Sequence, residues 1–365
     1  MFRKKMILLS IIAVIALVIS PILYQANLFA SAYYKGEKSE FFDGERFKRI
    51  GDDDDSAYNF SIWKALGYFT GLSKDKNLTW EEWEDEEVFV KQAIPEERVL
   101  GDTIRYYFIN HSTVLIQTNG LNIITDPIYS QRAGIFMFGP KRVHLPGIAF
   151  ENLPKIDIIL LSHDHYDHFN NETLKKLYKR DNPLVITPAG NDYLLKKLNK
   201  NFRVAPLLWG ESTTVGNVKI TLTKAYHWSR RGLNDMNKAL WGGFIVQTPT
   251  KTIYFAGDTS FGNENGAIFK EIHEKFPNID LAFLPIGAYL PYDFMRKGHT
   301  SPEDAVNIHR LLHAKKSVAV HFGTFQLSAE KRLQPVEDLE IAKKKHNLGA
   351  NEFITLQPGE FGEIK

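Results

Sequence analysis

Apolar and polar positions divide the chain into three parts with different patterns. An almost unbroken apolar run extends from Met6 to Leu23, a polar stretch dotted with aromatic residues covers residues 33–100, and short apolar segments separated by Gly, Asn and Pro follow. The short segments have the length of β-strands, whereas the first run has the length of a helix that spans a bilayer. The pattern therefore predicts an N-terminal membrane or signal segment over residues 1–32, an extension over residues 33–100 that packs on the main domain, and a main domain over residues 101–365.

The main domain begins with a pattern typical of a β-hairpin. The apolar stretch from Tyr106 to Gln117 predicts the first arm, residues 121–125 predict the second, and the dipeptide Asn119-Gly120 favours a type I′ turn between them. Further strands are predicted over residues 156–161, 184–187, 218–224, 240–248, 252–256, 281–285 and 317–321. Helices are predicted over residues 171–178, 191–198, 267–275 and 302–312. Because the strands begin as an antiparallel run and later alternate with helices, we expect an α/β (α+β) fold of two sheets with helices outside.

The N-terminal apolar run has three interpretations: a membrane anchor, a cleaved signal peptide and a buried helix of a soluble protein. At about 1.5 Å per residue, the helix from Met6 to Leu23 would be about 27 Å long, close to the roughly 30 Å of bilayer hydrocarbon. The tripeptide Ala30-Ser31-Ala32 resembles a signal-peptide cleavage site, although the apolar run is longer than is usual in a signal peptide. Basic residues at positions 3–5 place the rest of the chain outside the cytoplasm. We therefore expect a single-pass protein of the cell membrane, or a secreted protein if the segment is cleaved.

Charge and composition exclude several classes of function. The overall charge is close to zero, since 45 Lys and Arg residues balance 43 Asp and Glu residues, so the chain has no excess of positive charge with which to bind nucleic acid. It contains 12 His and no Cys. This composition excludes disulfides, Cys-ligated zinc sites, iron–sulfur clusters and thiol nucleophiles. Any metal chemistry must therefore use His, carboxylates or hydroxyls.

A dense group of metal-binding residue types follows the predicted strand 156–161. His163, His165, Asp167 and His168 have the spacing H-x-H-x-D-H. On an extended segment, residues two apart share a face, so His163 and His165 can bind one ion. As the chain turns, Asp167 and His168 can bind a second ion nearby, and both residue types suit zinc. The segment therefore predicts a metal centre built from His and carboxylate side chains.

This segment resembles the ligand motif of the metallo-β-lactamase fold superfamily, and later strand ends resemble that superfamily in the same order. The resemblance implies a four-layer αββα sandwich of two mixed β-sheets flanked by helices. It also implies that His227 completes a first zinc site, that His321 completes a second, and that Asp258 bridges both ions. Asp126, after the second hairpin strand, resembles a carboxylate that lies beside the metals. Several members of the superfamily have Cys at or near these positions, which this chain cannot provide.

Longer motifs are similar to those of the N-acyl phosphatidylethanolamine-hydrolysing phospholipase D group and its bacterial relatives, over roughly residues 101–330. The motifs are NHSTVLI from Asn110, GPKRVH from Gly139, HWS from His227 with RGL from Arg231, LWGG from Leu240 and LPIGAY from Leu284. The resemblance implies that His111 lies beside the metal ligands, and that His299 binds a phosphoryl oxygen or protonates the leaving group. Tyr292 departs from the group's pattern, in which an Arg commonly follows the Pro at position 291, and this difference bears on substrate recognition.

The resemblance implies a hydrolase with two zinc ions per chain, in which a metal-bound hydroxide attacks the phosphorus of N-acyl phosphatidylethanolamine or a similar phospholipid. Asp167 would orient the hydroxide and His299 would assist the leaving group. The apolar segment 135–138 is a candidate lipid contact. The expected partners are the membrane and a phospholipid or other amphiphilic phosphodiester, and no nucleic acid. Two alternatives stay open at this point: a zinc-dependent hydrolase of a lactone or other ester, and a non-catalytic, metal-stabilised surface protein.

Overall fold

The strands and helices of the described residues lie in the predicted main domain. The computed structural model describes residues 33–51, 83, 89–134, 139–232, 234–263 and 265–365. Its strands are β1 (Ile104–Asn110), β2 (Thr113–Thr118), β3 (Leu121–Thr125), β4 (Ile158–Leu160), β5 (Leu184–Pro188), β6 (Arg203–Leu207), β7 (Ser212–Val215), β8 (Val218–Thr223), β9 (Gly243–Gln247), β10 (Thr252–Phe255), β11 (Leu281–Pro285), β12 (Ser317–Val320), β13 (Phe353–Ile354) and β14 (Phe361–Ile364). Its α-helices are α1 (Asn171–Asp181), α2 (Asn191–Leu198), α3 (Ala267–Lys275), α4 (Tyr292–Met295), α5 (Pro302–Leu312) and α6 (Gln334–Lys345).

The strands form two mixed sheets of seven strands each. The first sheet has the order β14-β1-β2-β3-β4-β5-β6, and the second has the order β13-β12-β11-β10-β9-β8-β7. In the first sheet β1 to β3 are antiparallel neighbours, whereas β3 to β6 are parallel. In the second sheet β7 to β10 are antiparallel and β10 to β13 are parallel. Each sheet therefore begins as an antiparallel meander and continues with parallel strands, as the order of the predicted elements indicated.

Successive side chains of a strand point to opposite faces, and both faces of the first sheet pack against apolar residues. Tyr106 and Phe108 of β1 pack in a cluster that both sheets share, whereas Tyr107 and Ile109 pack in a second cluster with α1 and α2. This period of two is the geometry of an extended strand. Between the sheets the rings of Tyr106 and Phe283 meet at 5.6 Å, and helices α3, α5 and α6 cover the second sheet. The layers confirm the predicted sandwich of two mixed sheets flanked by helices.

The predicted hairpin is present between β2 and β3, but its first arm is two strands rather than one. Asn119 and Gly120 have φ angles of 50° and 73°, as a type I′ turn requires. The prediction of a single arm from Tyr106 to Gln117 is wrong because the chain reverses at His111, whose φ is 45°. A left-handed residue other than Gly is costly. The reversal places His111 at the end of β1, and β1 lies between β2 and the C-terminal strand β14.

The remaining predicted strands and helices agree with the structure to within a few residues at their ends. The sequence patterns did not predict β6, β7, β13, β14 or the helices α4 and α6. All four of these strands are the outermost strands of their sheets. An outer strand has one neighbour and is often partly exposed, as β7 and β14 are, so its apolar pattern is weak.

The N-terminal strap, defined as residues 33–50, packs on the main domain. Phe42 and Phe47 are buried in the cluster that the two sheets share. At the start of the strap, Tyr33 Oη donates a hydrogen bond to Asp235 Oδ2 at 2.9 Å. The described part of the predicted extension is therefore in contact with the main domain, whereas residues 52–82 and 84–88 lie outside the described residues. The boundaries of the three predicted parts stay predictions.

The predicted membrane or signal segment, residues 1–32, lies outside the described residues, and so does the apolar segment 135–138. Within the part of the chain that the structure describes, no helix combines the length and the apolar character needed to cross a bilayer. The choice between an anchor and a cleaved signal segment therefore stays a prediction.

Candidate metal centre

The predicted site residues meet at one edge of the sandwich. Strands β1, β3 and β4 run in the same direction in the first sheet, and β8, β10 and β12 do so in the second. The carboxyl ends of strands with a common direction meet at the same edge of a sheet. The residues that follow these six strands are His111, Asp126, the segment His163–His168, His227, Asp258 and His321. The two edges are joined at the site, because the His321 N–H donates to the carbonyl of His111 at 2.8 Å.

The first donor set consists of His163, His165 and His227. His163 Nε2 and His227 Nε2 lie 2.9 Å and 3.2 Å from His165 Nδ1. A tetrahedral zinc ion with Zn–N distances of about 2.0–2.1 Å brings its nitrogen ligands to about 3.3 Å from one another. Oδ2 of Asp258 lies 3.9 Å from Nε2 of both His163 and His227. The three rings thus converge with the spacing that a zinc ion requires.

The second donor set consists of Asp167, His168, Asp258 and His321. His168 Nε2 lies 3.3 Å from Asp167 Oδ2 and 3.2 Å from Asp258 Oδ2. His321 Nε2 lies 3.5 Å and 3.1 Å from the same two oxygen atoms. Asp258 Oδ2 therefore lies near donors of both sets, which is the position of a bridging ligand. The structure brings all the predicted ligands together, and their assignment as metal ligands is a proposal.

Hydrogen bonds determine which ring nitrogens face the site. His168 Nδ1 donates to Asp126 Oδ2 at 2.7 Å, and His227 Nδ1 donates to a backbone carbonyl at 2.8 Å. Ser162 Oγ donates to Asp126 at 2.6 Å and therefore accepts from His163 Nδ1 at 2.8 Å. With one proton on each neutral ring, the Nε2 atoms of His163 and His227 direct a lone pair into the site. Burial lowers the pKa of His168, but Asp258, Asp167 and Asp126 outweigh this effect and hold that pKa well above the usual His value. Buried lone pairs that face one another need a cation between them, so the donor sets fit metal ions.

Burial and charge in the site also favour a cation. Burial lowers the pKa of His163 and His227 well below the usual His value, so both rings are neutral. Burial alone raises the pKa of Asp258, but His168 and His321 outweigh this effect and hold that pKa well below the usual Asp value. A buried carboxylate that stays ionised needs positive charge beside it. Bound metal ions would supply that charge.

His111 and Asp126 lie behind the ligands and contact them. His111 Nε2 donates to Asp167 Oδ2 at 2.9 Å, and burial lowers the pKa of His111 to about 3, so it donates as a neutral ring. Asp126 accepts from His168 Nδ1 and from the backbone N–H of Ser162, both at 2.7 Å. Partners of this kind fix the orientation of a metal ligand and increase its basicity. Neither side chain needs to touch a metal ion to affect how tightly the ion is bound.

His299 lies beside both donor sets, just before α5. Its Nδ1 is 3.7 Å from Asp258 Oδ2 and is buried without a hydrogen-bond partner. Its ring is 5.4 Å from the ring of His227 and 5.4 Å from the ring of His321. Burial lowers the pKa of His299 to about 4, so its ring is neutral at pH 7. The structure therefore places His299 next to both donor sets, and its role in the reaction stays a prediction.

Arg231 supports the metal-binding segment, a role that the family motif containing it did not predict. It is 6% exposed, and its Nη1 donates to the carbonyls of Asp164 and Phe169 at 2.6 Å and 2.9 Å. Its guanidinium lies 4.0 Å from the centroid of the Tyr166 ring, in cation–π contact. One side chain therefore holds both ends of the loop that carries three of the proposed ligands. A charged residue more than 60 positions away gives no sequence signal for this contact.

Two buried donor sets at the carboxyl edge of an αββα sandwich define a metal-dependent hydrolase. The chain matches the beta-lactamase superfamily domain over residues 121–322. It belongs to this superfamily, and the resemblance that its motifs indicated is confirmed.

Comparisons with individual proteins agree with this family. The N-acyl-phosphatidylethanolamine-hydrolyzing phospholipase D 1 of Caenorhabditis elegans is 37% identical over 70% of this chain and 74% of its own length. The mitochondrial N-acyl-phosphatidylethanolamine-hydrolyzing phospholipase D of Saccharomyces cerevisiae is 35% identical over 70% of this chain, which spans 55% of the yeast protein. Among solved structures, Igni18, a metallo hydrolase of Ignicoccus hospitalis, has a TM-score of 0.53 at 20% identity and covers 72% of this chain and 99% of its own. This structural similarity shows that the two chains share a fold.

Replacing Asp126 with Asn is expected to weaken binding of the second metal ion by about 10–100-fold. The amide cannot accept hydrogen bonds at both side-chain positions, so either Ser162 or His168 loses its partner. Competition with a chelator of known affinity measures the change. Asp280→Asn is a matched control. Asp280 is a buried carboxylate outside the metal centre, and it accepts a hydrogen bond of 2.8 Å from the Thr252 N–H. Equal metal affinity in Asp126→Asn and the native protein would contradict the supporting role.

Proposed function

We propose that this hydrolase is a dinuclear zinc phosphodiesterase of phospholipase D type that acts on N-acyl phosphatidylethanolamine or a similar phospholipid. The observation that carries the proposal is the Asp258 carboxylate, which lies between two adjacent donor sets. Pairs of metal ions that share ligands are used in enzymes that hydrolyse phosphodiesters. Two relatives that are 35–37% identical to this chain are named for hydrolysis of N-acyl phosphatidylethanolamine, and this similarity supports the choice of substrate. Fold alone would not indicate a substrate.

The side chains of the centre have separate tasks in this reaction. Bound to the two donor sets, zinc ions would lower the pKa of a coordinated water towards neutrality and offset negative charge on the phosphoryl oxygens. Asp167, which the N–H of His111 holds in place at 2.9 Å, orients the attacking water and accepts its hydrogen bond. His299 offers a ring N–H to a phosphoryl oxygen or to the leaving oxygen, from a position beside Asp258.

Tyr292 keeps a second class of substrate open. In α4, Tyr292 Oη donates to Asp304 Oδ2 at 3.2 Å, and Tyr292 is a neutral residue at a position where the resemblance to the phospholipase D group implies an Arg. A neutral side chain gives no direct charge attraction to a phosphate group. This observation favours a neutral ester or lactone as the second candidate substrate, cleaved at the same metal centre.

Attachment to a membrane is the second part of the proposal. The apolar run from Met6 to Leu23 and the basic residues at positions 3–5 support a single-pass anchor with the catalytic domain outside the cytoplasm, or a secreted enzyme if the segment is cleaved. Tethering would raise the effective concentration of the enzyme at a lipid surface. Fractionation of cells that produce the full chain, followed by protease treatment of intact cells, tests both location and orientation.

A panel of lipids and esters tests the substrate directly. The zinc-loaded protein is incubated with N-acyl phosphatidylethanolamine, phosphatidylethanolamine and phosphatidylcholine, and in parallel with acyl lactones and simple carboxylic esters. We expect phosphatidate and an N-acylethanolamine from the first lipid, detected by phosphorus NMR and mass spectrometry, and we expect a chelator to abolish both products. Hydrolysis of lactones or esters with all phospholipids unchanged would select the second candidate.

Replacing His299 with Ala is expected to lower kcat about 100-fold while two zinc ions stay bound. The reason is that His299 contributes a donor to the reacting oxygens, and positioned donors or acids typically contribute about 100–10,000-fold. Steady-state kinetics and metal analysis measure the two quantities separately. His313→Ala is a matched control, because His313 is an exposed His beyond the end of α5. Native turnover in His299→Ala would remove His299 from the mechanism.

A further inference from the structure

The N-terminal strap ends next to the metal centre at Arg49. Arg49 Nε donates to the carbonyl of His227 at 3.0 Å, and Arg49 Nη2 donates to the carbonyl of Lys297 at 2.7 Å. The first carbonyl belongs to a proposed metal ligand, and the second lies two residues before His299. One guanidinium therefore joins two chain segments, more than 60 residues apart in sequence, that meet at the metal centre.

The same two segments also contact each other directly. His227 Nδ1 donates to the carbonyl of Gly298 at 2.8 Å. A Cβ atom at Gly298 would lie 3.2 Å from His227 Nδ1 and 3.3 Å from Trp228 Nε1, so the segment that contains Gly298 packs closely against the ligand ring. Arg49 adds two charge-assisted hydrogen bonds to this junction, and such bonds are stronger than those between neutral groups. The junction fixes the backbone on the N-terminal side of His299 relative to the first donor set.

The ring of His299 lacks a hydrogen-bond partner at Nδ1, so its position depends on the backbone on either side of it. The backbone N–H of His299 donates to the Met295 carbonyl at 3.0 Å. Met295 is the last residue of α4, which is a single turn of four residues. A single helical turn is weakly stable by itself. On the C-terminal side of His299, Thr300 Oγ1 donates to the Pro285 carbonyl at 2.7 Å. On the N-terminal side, the backbone position is set by residues 297–298 and by what holds them.

We infer that Arg49 is a positioning residue that sets the location of His299 relative to the metal centre by holding the carbonyls of His227 and Lys297. This inference rests on the proposed function, in which His299 takes part in turnover. Arg49→Ala is expected to lower kcat about 10–100-fold with KM changed less than about threefold, since displacement of a catalytic group by about 1 Å can cost on the order of 100-fold. The kcat of Arg49→Lys is expected to lie between those of the native protein and Arg49→Ala, because one ammonium does not reproduce the planar fork of the guanidinium.

Kinetics of matched variants test the inference in the full chain. Arg46 is the control: it lies on the same strap and donates to the carbonyls of Met236 and Asn234, and we expect Arg46→Ala to keep kcat within about twofold. In a protein that already carries His299→Ala, Arg49→Ala is expected to change kcat by less than about twofold, because the two residues act as a unit. Unchanged kcat in Arg49→Ala, or an undiminished effect in the His299→Ala protein, would overturn the inference.

A measurement without substrate separates this inference from the proposed function. In zinc-loaded protein with carbon-13-labelled His, the His299 ring signal is identified by its loss in His299→Ala. We expect that signal to shift in Arg49→Ala and to keep its native position in Arg46→Ala. If the native protein hydrolyses no phosphodiester and the shift is present, the proposed function fails and the positioning role stands. An unchanged His299 signal in Arg49→Ala would overturn the positioning role whatever the activity.

Discussion

Replacing Asp258 with Asn is expected to lower kcat/KM for phospholipid hydrolysis by at least about 1000-fold. Asp258 Oδ2 lies 3.1 Å and 3.2 Å from Nε2 of His321 and His168, and 3.9 Å from Nε2 of His163 and His227. The Asn side chain keeps the volume but removes the charge that both metal ions would share. A 1000-fold loss corresponds to about 4 kcal/mol of transition-state stabilisation, which is the scale of a lost metal ligand or electrostatic donor.

Kinetics and metal analysis of the same samples check this expectation. We expect the zinc content of Asp258→Asn to fall from about two ions per chain to about one or fewer. Asp280→Asn is again the matched control, since Asp280 is buried but is paired with Lys315 at 2.8 Å rather than with the donor sets. A variant at position 258 that retained two zinc ions and more than about a tenth of native activity would contradict the bridging role of Asp258.

Removal of the metal ions is expected to abolish hydrolysis and to destabilise the fold. Without a metal ion, the lone pairs of His163 and His227 face one another, and His168 and His321 are left to offset the charge of the buried Asp258 carboxylate. A ligand present at about 1000 times its dissociation constant stabilises the native state by about 4 kcal/mol. We therefore expect the Tm to rise by roughly 5–10 °C when zinc is returned to metal-stripped protein. Thermal unfolding followed by circular dichroism measures this difference.

A double variant provides the control for the metal effect. His163→Ala combined with His168→Ala removes one ligand from each donor set, so the Tm of this protein should not depend on zinc. Asp280→Asn should keep the full zinc-dependent rise. A native protein whose Tm and activity are the same with and without metal would contradict both donor sets as metal sites.

The fold could be predicted from sequence where neighbouring residues determine the structure. The Asn119-Gly120 turn follows from residues that tolerate positive φ, and the central strands follow from apolar runs. The reversal at His111 was missed because its local signal, the polar tripeptide Asn110-His111-Ser112, is short and contains neither Gly nor Pro, and the β-forming residues 104–109 and 113–118 flank it. Strand β14 pairs with β1 across more than 250 residues, and such pairings leave no local pattern.

The ligands could be predicted better than the residues that hold them. His163, His165, Asp167 and His168 stand within six positions, so their spacing alone indicates a metal centre. Supporting contacts depend on tertiary structure instead. Arg231 approaches the metal-binding loop from the segment between β8 and β9, and the N-terminal strap reaches the centre from residues nearly 180 positions before His227. Such contacts form between side chains and backbone carbonyls, which every residue possesses, so the sequence does not indicate the partner.

Hydrolysis of N-acyl phosphatidylethanolamine in water enriched in oxygen-18 tests the proposed reaction most directly. The isotope shift in the phosphorus NMR spectrum shows whether the oxygen that enters the product is bonded to phosphorus. A water that attacks phosphorus at the metal centre predicts phosphatidate with one oxygen-18 on phosphorus, formed by the zinc-loaded protein and not by metal-stripped protein or by Asp258→Asn. Phosphatidate without the isotope, or no phosphomonoester product from the zinc-loaded protein, would contradict the proposed phosphodiesterase.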